Sequence, residues 1–331
     1  MTKINHKTKV ADNFIYEKNN ATLKLFLLFI LVVSAVIIYI YEGVGPNPGF
    51  TIPRRTSQAL AMCIVAIAIA YSSVIFQTIT NNRILTPAVI GFEAVYMFIQ
   101  TVIVFVFSAG SHFITGIPNF LLSISVMMLF SLVIYSIMFK KDGQNILFLL
   151  LIGMVLGTMF SSLTSYLQIM IDPSEFFIIQ SRMFASFNSI NLNLLYISIL
   201  MVVLAILPTI KYIRYLDVIS LGKENAISLG INHARLSKCF LIVIAVLVSV
   251  STALVGPVTF LGVMVANITY NYIKTYKHAY ILPTCCLITI LALVGGQYLV
   301  ARVLNFSTTL SVIINFCGGL YFLILLLKEN K

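Results

Sequence analysis

Charge is scarce in this chain. Only 9% of its 331 residues are charged, against roughly a quarter in an ordinary soluble domain. Ten residues are acidic, and only Glu93 falls well inside an apolar run. A phosphate-binding loop is also missing. The sole Gly-Lys pair, Gly222-Lys223, is followed by Glu224 instead of a hydroxyl residue, and no glycine stands at 217, so the glycine-rich cradle for a nucleotide is excluded. The four histidines (6, 112, 233, 278) stand singly, and the five cysteines (63, 239, 285, 286, 317) lack metal-ligand spacing. No apolar run carries the buried acid–base pair that intramembrane chemistry would need. The chain is expected to be no enzyme, to hold no metal and to need no cofactor.

What remains is grease: 60% of residues are apolar and the mean hydropathy is +1.02. A membrane-crossing helix takes about 20 apolar residues. Ten segments qualify, at about 22–41, 57–78, 86–108, 117–139, 145–169, 190–210, 237–254, 258–276, 279–301 and 307–327. The expected fold class is therefore an all-α polytopic membrane protein with about ten transmembrane helices. The seventh and eighth come from one uncharged stretch, Cys239 to Ile273, too long for a single span, with "VGPV" (255–258) as the break. No small-residue cleavage site follows the first run, which is expected to stay as an anchor behind a tail at 1–21. Residues 22–328 are expected to form one transmembrane domain.

Lys and Arg concentrate in cytoplasmic loops. With the N-terminus inside and ten spans, the outer segments hold only Arg54, Arg55, Arg182 and Arg302, and the inner ones hold the remaining 17 of the 21 basic residues. Both termini are then cytoplasmic, and 211–238 is the largest internal loop. The net charge of +11 reads as topology. A nucleic-acid partner is not expected, because the bases form no compact patch.

Polar residues cluster in "GMVLGTMFSSLTSYLQ" (153–168). Gly153 and Gly157 form a small-xxx-small pair that lets another helix approach closely. Ser161, Thr164, Ser165 and Gln168 share one helical face, suited to a wet pathway or to bonding the preceding turn's carbonyls. Glu93 follows Pro87 and Gly91 in "LTPAVIGFE". An acid inside a span is functional by default, but three readings stay open: a side chain held by amides or a hydroxyl at a helix discontinuity, a pathway residue, or a proton or cation site. The connector 172–189 suggests a short interfacial or re-entrant helix. "TPAVIGFEAV" (86–95) and "GPVTFLGVMVA" (256–266) echo each other, each placing a glycine shortly after a proline.

The segment "SLGKENAISLGINHARLSK" (220–238) interrupts the apolar pattern. Lys223 to Leu229 spans about two helical turns, with Glu224 suited to the first. Gly230 is placed to close it in a left-handed cap, and Asn232 to cap the helix that follows.

Four blocks together resemble the permease subunits of the iron–siderophore and cobalamin class of ABC importers. "LGKENAISLGINHARL" (221–236) looks like their coupling segment, matched at Leu221, Gly222, Ala226, Leu229, Gly230 and Ile231. "IPRRTSQALAMCIVAIAIAYSSVIFQTITNNRILTPAVIG" (52–91) resembles their Pro-Arg opening of the second span, through Gln77, Asn82 and Pro87 to Gly91. "LVGPVTFLGVMV" (254–265) and "ARVL…GGLYFLILLLK" (301–328) resemble later blocks, in family order. Thr51 stands where an Arg is common. Ala266, Asn267 and Tyr270 replace a Pro-His and a later Arg, and "STTLSV" (307–312) lacks a Pro-Gly pair. The acid after Gly91 is most similar to the catecholate-siderophore branch.

The resemblance implies a type II ABC importer permease fold in a bacterial plasma membrane, surrounded by lipid. It implies import of a ferric siderophore, a second permease chain, cytoplasmic ATP-binding subunits and an external substrate-binding lipoprotein. The residues expected to receive ATPase motion are Lys223, Glu224, Ala226, Ser228, Leu229 and Gly230. Arg54 and Arg302 are expected to meet the binding protein. Ser161, Thr164, Ser165, Gln168 and Glu93 are the pathway candidates. The alternatives are an ion-coupled secondary transporter using Glu93, a permease for heme or cobalamin, and a membrane enzyme or scaffold.

Overall fold

Lipid offers no partners for backbone amides, so a spanning chain must satisfy them within helices. The computed structural model, which describes residues 2–107, 116–139, 146–188 and 190–329, follows that rule. Helix α1 runs Thr2–Tyr41, so the stretch read as a tail continues the first span. Helix α2 (Pro48–Thr80) is longer than its predicted 57–78, because Arg54 and Arg55 ride on its first turns. A 3-10 turn at Pro87–Ile90 leads into α3 (Phe92–Phe107). Then come α4 (Gly116–Phe139), α5 (Ile146–Met170) and the short α6 (Pro173–Met183). Helix α7 (Leu192–Ile206) passes through a 3-10 turn into α8 (Ile213–Ile219) and α9 (Lys223–Ser228). The rest are α10 (His233–Val255), α11 (Leu261–Ile273), α12 (His278–Arg302) and α13 (Leu310–Glu329).

Helices thus occupy the ten predicted segments. Seven, with α7 and α8 counted as one continuous segment, are long and apolar enough to cross a membrane among the described residues. Phe92–Phe107 and Leu310–Leu325 are shorter apolar helices, and α11 has only 13 residues. The predicted limits at 108 and 145, together with Lys140, Lys141, Ser189 and Lys331, lie outside the described residues. Helix α2 lies centrally against α12 and α10; α1 runs along α12, α4 and α7 flank α10, and α5 covers α3.

Two helix breaks shape the interior. The predicted "VGPV" break is present: α10 ends at Val255, and α11 starts only at Leu261. The carbonyl of Val255 accepts from the Ser186 amide at 2.9 Å, and the Gly256 amide donates to Thr252 at 2.8 Å, so the interruption leaves these groups paired. The other break precedes α3, at Gly91. There the glycine pair of α5 meets a turn, where the sequence suggested a helix. A Cβ on Gly153 would come within 2.8 Å of the Ile90 Cα, and one on Gly91 within 3.0 Å of the Gly157 Cα. Backbone lies against backbone, with no flexible side chain to yield.

Gly153→Val is accordingly expected to destabilise the detergent-solubilised protein by about 1–3 kcal/mol, the usual penalty of overpacking. Thermal unfolding of the two proteins checks this; an unchanged midpoint would show that the glycine contact is slack.

Candidate functional site

The first site is a cavity of about 600 Å³ between α3, α5 and the α10–α11 break. All five pathway candidates line it: Glu93 from α3, and Ser161, Thr164, Ser165 and Gln168 from one face of α5. The Thr259 hydroxyl donates to Glu93 Oε2 at 2.7 Å, so a hydroxyl at one helix discontinuity holds the acid that follows the other. Glu93 is hydroxyl-held, the first of the three readings left open for it, and it lines the cavity. Two of the α5 hydroxyls bond the preceding turn's carbonyls while lining the cavity. Thr164 donates to the Phe160 carbonyl at 2.7 Å and Ser165 to Ser161 at 3.0 Å. Their protons are engaged, so these oxygens face the cavity as acceptors. Ser161 and Gln168, whose side chains have no hydrogen-bond partner among the described residues, add donors. Ser161 and Ser165 are exposed, so the cavity opens along α5.

At the end of the bundle where α2 begins, Arg54 and Arg302 are both present but differently occupied. The exposed Arg54 donates to the Asn188 carbonyl at 3.1 Å and borders a shallow pocket with Thr51, Arg55 and Gln58. Arg302 donates to the Glu42 carbonyl at 2.5 Å, and Arg55 donates to the same oxygen at 2.6 Å. Two guanidinium groups thus cap the C-terminal end of α1, where orphan carbonyls favour cations. The interior was not flagged by the sequence reading, yet it holds a polar knot. Arg182 of α6 donates to Gln100 Oε1 at 2.6 Å, and Gln100 in turn donates to Ser123 at 2.9 Å and Asn119 at 3.1 Å. The signal was available: Gln100 and Asn119 are amides in otherwise apolar runs.

At the opposite end, the segment 211–238 folds as its sequence suggests. Helix α9 closes with Ile231 N donating to Ala226 O at 3.0 Å and Gly230 N to Ile227 O at 2.9 Å. That paired bonding places Gly230 in the left-handed position, and its φ is +81°. Asn232 then caps α10, accepting from the Arg235 amide at 3.0 Å. Ala226 is fully buried and roots α9 in the bundle, whereas Ile227 and Leu229 are 53% and 64% exposed. Lys223, Glu224 and Ser228 are exposed beside them. Helix α9 therefore presents an apolar tip ringed by polar groups.

Apolar helices long enough to cross a membrane, packed around a half-open cavity with helix breaks at its wall, fit a membrane permease. The model of the FecCD transport family matches residues 22–328. The chain is 50% identical over 310 residues to the petrobactin import system permease protein YclO of Bacillus subtilis, covering 93% of this chain and 98% of that one. It is 33% identical to the petrobactin import system permease protein FatC of Bacillus anthracis, covering 99% and 95%. Among solved structures, one described as an inward-facing metal-chelate type ABC transporter superposes with a TM-score of 0.80 at 21% identity, covering 93% of this chain and 99% of that one. The chain belongs to the FecCD transport family. It is a multi-pass permease of the plasma membrane and a subunit of an ABC transporter, not an enzyme.

Gln100→Leu removes an acceptor that lies 2.6 Å from Arg182. Loss of about 1.5–3 kcal/mol is expected, as for a hydrogen bond to a charged group. The melting temperature in detergent measures it, and an unshifted value would mean that the knot contributes nothing.

Proposed function

We propose that this chain carries a ferric siderophore of the catecholate type inward across the membrane, with ferric petrobactin the first chelate to test. The observation that carries the reading is the convergence of all five pathway candidates on one cavity. The identity to two petrobactin permeases over nearly the whole chain supports the substrate. Ten crossings, with both termini in the cytoplasm, are part of the proposal. The cavity opens along α5, so a second, different permease chain closes it to complete a pathway. ATP is hydrolysed by separate cytoplasmic subunits, since this chain lacks a nucleotide loop.

In this reading α9 is the docking point of the ATPase. Its exposed Ile227 and Leu229 enter a groove on that subunit, Lys223, Glu224 and Ser228 flank them, and Ala226 and Gly230 hold the helix rigid. Closure of the ATPase then turns the permease between outward and inward access. A lipoprotein delivers the chelate at the opposite end, guided by Arg54. Arg302 contributes there mainly by holding the end of α1, since its guanidinium is engaged by the Glu42 carbonyl.

Leu229→Asp and Gly230→Val are expected to lower uptake of ferric petrobactin by at least about tenfold, a loss of roughly 1.4 kcal/mol or more in effective coupling, with the chain still inserted in the membrane. Normal uptake would remove α9 from the mechanism. Arg54→Glu is expected to weaken capture of the binding protein at low salt, with the difference shrinking as salt rises. Salt-independent, unchanged affinity would leave Arg54 as a topology residue only.

A further inference from the structure

One buried polar group lies outside everything described so far. His278, the first residue of α12, is only 3% exposed. Its ring Nδ1 lies 2.7 Å from Asp217 Oδ1 of α8, and its backbone amide donates to that same oxygen at 2.7 Å. Asp217 thus caps the N-terminus of α12 and grips its first side chain together. The other ring nitrogen, Nε2, lies 2.8 Å from the Thr78 hydroxyl near the end of α2. One imidazole therefore joins three helices that are far apart in sequence.

The position of this joint matters. Helix α8 is bonded directly into α9: Gly222 N donates to Ile219 O at 3.0 Å, and Ala226 N to Gly222 O at 3.0 Å. Leu216 and Ile219 of α8 and Ala226 of α9 are all buried, so the corner turns as a unit. On the far side, Thr78 is about one and a half helical turns from Ser72 and Ser73, which with Glu93 and Thr259 border a small polar cleft beside the main cavity. The hydrogen bonding at Thr78 is also two-way. Its oxygen lies 2.8 Å from the Val74 carbonyl as well as 2.8 Å from the imidazole, and a hydroxyl has a single proton. With Nδ1–H donated to the Asp217 carboxylate, Nε2 of the neutral ring can only accept, so the one Thr78 proton is shared between that nitrogen and the Val74 carbonyl, and the imidazole bond can be released to the carbonyl when the helices shift.

We infer that the Asp217–His278–Thr78 chain is the joint through which movement of the α8–α9 corner reaches α2 and α12, and that His278 is a positioning residue for ATP-driven transport. This rests on the reading of α9 as the ATPase docking helix. A group that transmits motion has a different signature from one that only stabilises: losing it separates ATP hydrolysis from transport, whereas losing a stabilising group lowers both together.

The test uses the whole importer, captured through a tag on this chain and reconstituted in proteoliposomes with its binding protein, and reads ferric petrobactin imported per ATP hydrolysed. For His278→Ala, captured ATPase and hydrolysis are expected to stay within about twofold of wild type while that ratio falls at least about fivefold, a size typical of coupling residues. Thr78→Val is expected to lower the ratio about threefold, and the double variant to fall no further than His278→Ala. Asp217→Asn, which keeps an acceptor, is expected to retain most of the ratio. Should His278→Ala fail to accumulate, Thr78→Val alone decides. An unchanged ratio in these variants, or uptake and hydrolysis falling in step, would overturn the inference and leave the docking role of α9 standing. A wild-type chain that captures no ATPase would overturn both.

Discussion

The hydrogen bond from Thr259 to Glu93 joins the two helix breaks that shape the interior beside α5. Interruptions are hazardous in a membrane, because each frees backbone groups that lipid cannot satisfy. Here the hazard is contained by neighbours. The Ser186 amide takes the carbonyl freed at Val255, and the Gly153–Gly157 face of α5 admits the turn at Gly91. The 2.7 Å contact between Thr259 and Glu93 then ties one break to the other. Without it, a carboxylate inside a span would stand without its hydroxyl partner.

The cavity owes its chemistry to the same arrangement. Because α3 starts late and α11 starts late, neither fills the space in front of α5, and the serines and threonines of that helix face an opening instead of a neighbour. Most of those hydroxyls satisfy their own helix first and turn oxygen lone pairs outward. The result is a lining of hydroxyl and amide groups set among apolar residues, with one acid and no base. The end of the molecule carrying α9 has the opposite character: compact, capped at each corner, and tied by Asp217 and His278 to the central helices.

Much of this was legible in the sequence, and what was not has a common cause. The break at "VGPV", the left-handed Gly230, the Asn232 cap and the shared face of Ser161, Thr164, Ser165 and Gln168 all follow from local spacing. Local spacing cannot name a partner 166 residues away, which is the separation between Glu93 and Thr259. Nor could it pair Arg182 with Gln100, or His278 with both Asp217 and Thr78. The start of α2 was placed too late because charged Arg54 and Arg55 look like the end of a span, although a helix can carry them past the apolar region. Arg302 matched a motif position but gave no hint that it would cap α1. Gly153 and Gly157 announced a close neighbour without revealing that it would be a turn.

The central claim is that the cavity beside Glu93 is a pathway opened alternately to the two sides by ATP. A single reporter thiol, Ser161→Cys, in a chain whose exposed Cys239 and Cys317 are replaced, tests it directly. In the reconstituted importer, a membrane-impermeant maleimide is applied from each side, with and without trapped nucleotide. The account predicts that the side from which the thiol reacts switches with nucleotide. Reaction from the same side in both states, or from neither, would contradict it.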